Sequence, residues 1–315
     1  AMSGAIMPEP LQKPLMVTAT SPILACRVAS FGKVSVVMIA GAPGLLLAIV
    51  LALTLREPRA VQSAAGTPVR QNTREALREL WGRKAYVLLT FGLGIATIGA
   101  YGHQTWIPTF LIRSFELTTA QTGVLYGLAS APAALLGVLF GGILTDRLSK
   151  KDARWPLWIT AISFAAMVPI ALAFFLAPSM PSLTSQPLLI VAMSIPIAML
   201  GVMWTAPCFA LIQNLAGARL RATAAAAFML VTNLVGLSAG PALTGILSDA
   251  MTPAFGADAL RYALAIMTAP YLVGVALFLL ATRTVKADLA QASDVPTAAP
   301  ELREPGDAPS AQQAV

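Results

Sequence analysis

Seven apolar runs, each about twenty residues or longer, divide this chain at roughly 34–55, 86–110, 120–145, 155–176, 188–211, 222–247 and 262–282. About 20 apolar residues in a helix match the ~30 Å hydrocarbon layer of a bilayer. Only a segment that satisfies its own backbone hydrogen bonds can sit there, so runs of this length are read as helices. The runs predict an all-α membrane protein with about seven transmembrane helices. Charge supports this: 11% of the 315 residues are charged, against about a quarter in soluble domains.

A net charge of +7 would suggest nucleic acid as the partner of a soluble chain. Here the basic residues lie between the apolar runs, where they set topology, and no nucleic-acid partner is expected. One set of loops holds Arg56, Arg59, Arg70, Arg74, Arg78, Arg83 and Lys84, then Arg147, Lys150, Lys151 and Arg154, then Arg219 and Arg221, then Arg283 and Lys286. The opposite set holds only Arg113 and Arg261, beside Glu116, Asp249 and Asp258. Cytoplasmic loops are enriched in Lys and Arg, so the first set is expected inside, with the C-terminus.

The remaining segments complete the expected organisation. Residues 1–32 are proline-spaced, lack the pattern of a signal peptide and are expected to be poorly ordered or peripheral. A first helix at 33–56 leads into a connector at 57–84, whose second half is amphipathic: Leu77, Leu80 and Trp81 share a face, and Glu79 and Arg83 have ion-pair spacing. Such a helix would lie on the inner leaflet. A six-helix bundle is expected at 85–286 and a disordered, Ala/Pro/acid-rich tail at 287–315. Cys26 and Cys208 have no metal or redox spacing. No GxxxxGK[ST] loop, nucleophile–base pair or metal cluster occurs in the sequence, so neither an enzyme nor a cofactor is expected.

At 137–154 the chain reads GVLFGGILTDRLSKKDAR. Its GGILTDRLSKKDAR resembles the Gly-x-x-x-Asp-Arg-basic loop of the major facilitator superfamily, in the copy found in the C-terminal half. GAPGLLLAIVLALTLREP resembles the end of that family's sixth helix, and NLVGLSAGPALTGILSD its eleventh. FGADALRYAL, WIPTFLIRSF and ARLRAT are similar to the spinster-like branch. The resemblance covers about residues 39–285. It implies a major-facilitator-type six-helix C-terminal bundle plus one preceding helix, and secondary transport of a small organic or amphipathic solute. Residues 1–36 do not resemble the helix that should come before, so a truncated chain, or a half-transporter that pairs with another chain, is expected. Such a fragment would be inactive alone, its partners being the solute, membrane lipids and the missing N-terminal half or a partner chain. A sugar-phosphate or organic-anion proton symporter and a non-transporting remnant are the rival readings.

In such transporters the solute binds near the midplane between two halves, where polar groups are costly and usually functional. His103 is the only histidine; it is either a solute or proton contact or an outer-interface residue bonded to a neighbour. Tyr101 and Gln104 cluster with it, and Trp106 reads as an interface anchor. Asn233, mid-span, and Trp204 and Thr205, beside Pro207, are further lining candidates, with packing as the alternative for each. Gly123, Gly127 and Gly137 in the third run and Gly236 and Gly240 in the sixth are spaced for close helix packing. Gly141, Asp146, Arg147 and Arg154 form a conformational-switch loop by resemblance, with Asp146 poised toward a helix N-terminus.

Overall fold

The computed structural model describes residues 41, 42, 44–54, 73–179 and 187–293. Among them there are helices, turns and no strands. Expectations for residues 1–32, the start of the first apolar run, most of the connector with Arg56, Arg59 and Arg70, Cys26 and the residues from 294 onward lie outside the described residues. The chain forms two units, residues 1–70 and 71–315. In the first, α1 is a short apolar helix, Gly44–Thr54, within the first apolar run.

The second unit opens with the amphipathic α2, Thr73–Gly82, then α3 (Lys84–Phe115), α4 (Thr119–Leu148), α5 (Trp155–Leu176), α6 (Pro187–Met203) and α7 (Thr205–Thr232). A π-helical turn at Asn233–Leu237 joins α7 to α8 (Ser238–Phe255), followed by α9 (Ala259–Ile266) and α10 (Ala269–Ser293). On α2, Leu80 is buried and Leu77 half-buried, whereas Trp81 is exposed and meets the Phe91 ring edge-on at 5.6 Å. Glu79 and Arg83 make the expected ion pair at 3.0 Å.

Among the described residues, five continuous helical stretches are long and apolar enough to cross a membrane, the last being the 74 residues Arg219–Ala292. A straight helix of that length would span about 110 Å, several times a bilayer. Gly256, at φ +55°, turns the chain back between α8 and α9, so this stretch makes two crossings and the unit six. Gly217, at φ +68° and ψ 171°, likewise separates the fourth crossing from the fifth. Both positions need a conformation that side chains with a Cβ resist. The chain is an integral, multi-pass membrane protein.

α3 runs through the middle of the bundle, packed against α10 on one side and α7–α8 on the other, while α4 pairs with α6 and α5 lies against α6 and α10. Phe110, Phe174 and Phe175 form one ring cluster between α3 and α5, and Phe164, Tyr271 and Phe278 a second between α5 and α10, with centroids 5.3–6.0 Å apart; the His103 ring joins the two, 4.8 Å from Phe175 and 5.5 Å from Tyr271. Cys208 is a free, buried thiol 3.3 Å from Thr160 Oγ1.

One expectation needs correction. The expected tail from residue 287 begins as helix: α10 continues to Ser293, where Asp288 is buried and bonded to α3. The fifth run is interrupted at Trp204, between α6 and α7; Pro196 sits inside α6 and Pro207 in the first turn of α7, where it has no N–H to offer the Met203 carbonyl.

Candidate functional site

Helices α3 to α7 surround a cavity of about 580 Å³. Tyr101, His103 and Gln104 border it from α3, Trp204 and Thr205 from the α6–α7 break, and Asn233 from the π turn. These six lie up to 132 positions apart in the chain, and the fold brings them to one space. The π turn at Asn233 puts non-α backbone on one wall, a feature frequent at functional sites. The apolar part of the wall comes from residues such as Met167, Ile197, Val202, Phe209 and Phe228. No Asp, Glu, Lys or Arg lines the cavity among the described residues.

Most of the polar lining is already bonded. His103 is 1% exposed and lies 2.9 Å from the Leu264 carbonyl through Nε2 and 2.9 Å from the Tyr271 hydroxyl through Nδ1. A carbonyl can only accept, so Nε2 carries the proton and Nδ1 accepts from Tyr271. The Phe175 ring lies 4.8 Å away. Both nitrogens are thus held inside the bundle, rather than at an outer interface. Asn233 donates to the Met229 carbonyl at 2.8 Å and accepts from Tyr101 at 3.5 Å. Trp204 Nε1 donates to Gly201 and Thr205 Oγ1 to Val202. Trp106, expected as an interface anchor, instead donates to the Pro241 carbonyl on α8 at 3.0 Å.

Gln104 is exposed and has no hydrogen-bond partner among the described residues. Tyr126 and Ser130 of α4 also line the cavity without a partner, and sequence reasoning missed both. They stand four residues apart, on one helix face, with Ala134 completing the line. That hydroxyl spacing was the available signal, but the glycine steps of the same run masked it.

The packing glycines divide. Gly137 and Gly141 lie against the Met199 and Met203 carbonyls of α6, and Gly236 and Gly240 against Thr97 and Ile98 of α3. A Cβ on Gly240 would stand 2.9 Å from the Gly102 nitrogen. Gly123 and Gly127 have no neighbour within 4 Å, so the packing expected of them is not made by the described residues.

The contact expected of the switch segment is likewise not found among the described residues. Gly141 is inside α4, Asp146 and Arg147 are exposed in its last turn, and neither makes an ion pair among the described residues. No helix N-terminus receives Asp146 there. The carboxylate that does meet one is Asp288, whose Oδ2 accepts the Ala85 N–H at 2.6 Å in the first turn of α3. Around it, Arg83 donates to the Leu215 carbonyl and Glu79 also pairs with Arg219. In the turn after α4, Asp152 pairs with Lys286 at 2.9 Å and accepts the Arg154 N–H at 2.9 Å. The Lys286 contact, foremost, and the Arg154 amide hold the Asp152 carboxyl below the usual carboxylate range. Arg154 itself precedes α5 at its N-cap. This end of the bundle is held by charge, and the cavity is neutral.

A family model described as Major Facilitator Superfamily matches residues 16–241. An MFS-type efflux pump of Mycolicibacterium smegmatis is 32% identical over 262 residues, covering 82% of this chain and 58% of the pump. A probable galactarate/D-glucarate transporter of Bacillus subtilis is 29% identical over 182 residues, 51% of this chain and 38% of that protein. A bacterial homologue of the human lysosomal transporter Spinster, inward-facing and unoccupied, superposes with a TM-score of 0.61 at 23% identity, over 79% of this chain and 59% of that one. The chain thus spans little more than half the length of the relatives it matches best in coverage.

Proposed function

This chain belongs to the major facilitator superfamily, and on that premise we propose that it is the C-terminal portion of a secondary active transporter for a small, uncharged organic or amphipathic solute. It is a transporter-family protein, not an enzyme. The observation that carries the reading is the convergence of Tyr101, His103, Gln104, Trp204, Thr205 and Asn233 on one cavity without a charged side chain among its described lining. An ion at membrane depth needs a partner of opposite charge, and a doubly charged sugar acid would find none here. The organic-anion alternative is therefore disfavoured, although one relative is a probable transporter of such acids.

In this reading residues 33–56 are the last helix of an N-terminal half, 57–84 a connector, and the following six crossings the C-terminal half, of the spinster-like branch. The basic end and the C-terminus lie on the cytoplasmic side of a bacterial inner membrane. Alternating access rocks two halves about a site between them, so this chain alone binds solute without moving it. A proton, if coupled, has no carboxylate to use in the described cavity, and His103 would first have to leave Leu264 or Tyr271.

The test is binding and flux with the chain reconstituted in lipid. Saturable occupancy by uncharged amphiphiles, with glucarate failing to compete, is the expected result. Saturable glucarate binding would overturn the uncharged-solute reading. Solute flux into vesicles holding only this polypeptide would overturn the requirement for a second half.

A further inference from the structure

Resting on that reading of the cavity, we infer that Gln104, Tyr126 and Ser130 are the residues that select the solute, binding a hydroxyl, amide or carbonyl at one end of an apolar molecule. Most polar groups of the described lining already hold a hydrogen bond. Thr97 donates to Gly94, Thr205 to Val202, Thr232 to Phe228 and Trp204 to Gly201. His103 is bonded through both nitrogens, Tyr101 donates to Asn233, and Asn233 donates to the Met229 carbonyl. What is left unengaged among the described lining is the Gln104 amide and the hydroxyls of Tyr126 and Ser130.

These three belong to one helical hairpin. α3 ends at Phe115 and α4 starts at Thr119, with the turn fixed by Glu116 at φ +54°. The Thr118 side chain accepts the Gln121 N–H while Gln121 accepts the Thr118 N–H, at 3.2 and 3.0 Å, a reciprocal cap on α4. Gln104 precedes the end of α3 by about eleven residues and Ser130 follows the start of α4 by about eleven, so both lie roughly 16 Å from the turn. Tyr126 is one helical turn nearer to it. The unengaged groups therefore lie within about one helical turn of a common depth on α3 and α4, in a cavity whose apolar lining from α5 to α7 includes Met167, Ile197, Val202, Phe209 and Phe228.

The chemistry of the band sets the ligand class. The amide offers donors and an acceptor, and each hydroxyl offers one donor and lone pairs. None carries a compensating charge. A solute with an uncharged polar end and an apolar body satisfies both walls. A pure hydrocarbon leaves the band unpaired, and a carboxylate enters without a counter-charge. Such a site rejects an analogue lacking the polar group more strongly than one differing by a methylene.

The experiment uses three photoreactive alkyl probes of equal length, carrying a terminal hydroxyl, a terminal carboxylate or no polar group, applied to this chain in lipid nanodiscs. Labelled peptides are mapped by mass spectrometry, with unlabelled analogue as competitor. In the wild type the alcohol is expected to label the cavity helices saturably and in preference to the other two. Gln104→Leu, Tyr126→Phe and Ser130→Ala should each weaken the alcohol by about fivefold to tenfold, as expected for one lost hydrogen bond, and leave the hydrocarbon unchanged. Variants are compared only where gel filtration shows the wild-type profile, and the three positions give independent chances of a folded protein. Saturable alcohol labelling indifferent to all three substitutions would overturn this inference and leave the uncharged-solute reading standing. Saturable labelling by the carboxylate alone, or by no probe, would overturn both.

Discussion

Along α4, Gly123 and Gly127 meet no neighbour within 4 Å, whereas Gly137 and Gly141 lie against the carbonyls of Met199 and Met203. Both pairs are four residues apart on one helix, and in the sequence they look alike. Between them Pro132 removes one rung of the hydrogen-bond ladder. Before it the helix presents Tyr126 and Ser130 to the cavity; beyond it, the helix is pressed onto α6. Small-residue spacing permits close approach but does not supply the neighbour. One helix thus serves as a solute-facing wall in its first half and as a packing element in its second.

The strongest way to break this contrast is Gly141→Val. A Cβ there would overlap backbone of α6, which cannot swing aside as a side-chain end can, so a loss of about 3 kcal/mol is expected. Thermal unfolding of the detergent-solubilised chain, followed by helical circular dichroism, would show it. An unchanged midpoint would mean that α4 and α6 do not meet here. The charged end of the bundle gives the next largest effect. Asp288→Ala leaves the buried Ala85 N–H without its acceptor and should cost about 1–3 kcal/mol, with Asp288→Asn losing less because an amide oxygen remains.

Gly123→Ala should act in the opposite direction to Gly141→Val. With open space around it, the added methyl removes chain freedom from the unfolded state and should stabilise by about 0.5–1 kcal/mol. A fall in stability in the same assay would place a neighbour against this half of α4. The smallest effect belongs to Asp152, at the turn after the packed half. Its folded value lies below the ordinary carboxylate value, so its contribution is present above that range and disappears as pH falls through the lowered value. Between about pH 6 and pH 3 the melting midpoint should fall slightly further in the wild type than in Asp152→Asn. Equal slopes would show that the exposed Lys286 pair contributes nothing.

Much of the fold was legible because membrane helices are written in long apolar runs. The helical connector segment and its Glu79–Arg83 pair followed from 3.6-residue periodicity, which is local. The site was legible only in part. Tyr101, His103, Gln104, Trp204, Thr205 and Asn233 were singled out as polar or aromatic residues at membrane depth, and they share a cavity. Which of them are free was not legible, since His103 is engaged by Leu264 and Tyr271, 161 and 168 residues away. Tyr126 and Ser130 were passed over because Tyr and Ser are ordinary in a membrane helix until their partners are known. Asp146 was favoured over Asp288 because a motif surrounds the first, while the second sat in a stretch whose composition resembled a tail.

By itself, then, the sequence determined a helical, multi-pass membrane protein of the major facilitator type. These properties depend on transfer of side chains and backbone between water and lipid, which each segment pays independently of the others. The tertiary structure decided which glycines are packed, which carboxylate meets a helix end and which polar groups remain available in the cavity. Many of those outcomes depend on neighbours brought together from about sixty to about two hundred residues away, and hydrogen bonds and contacts at that range leave no local pattern in the chain.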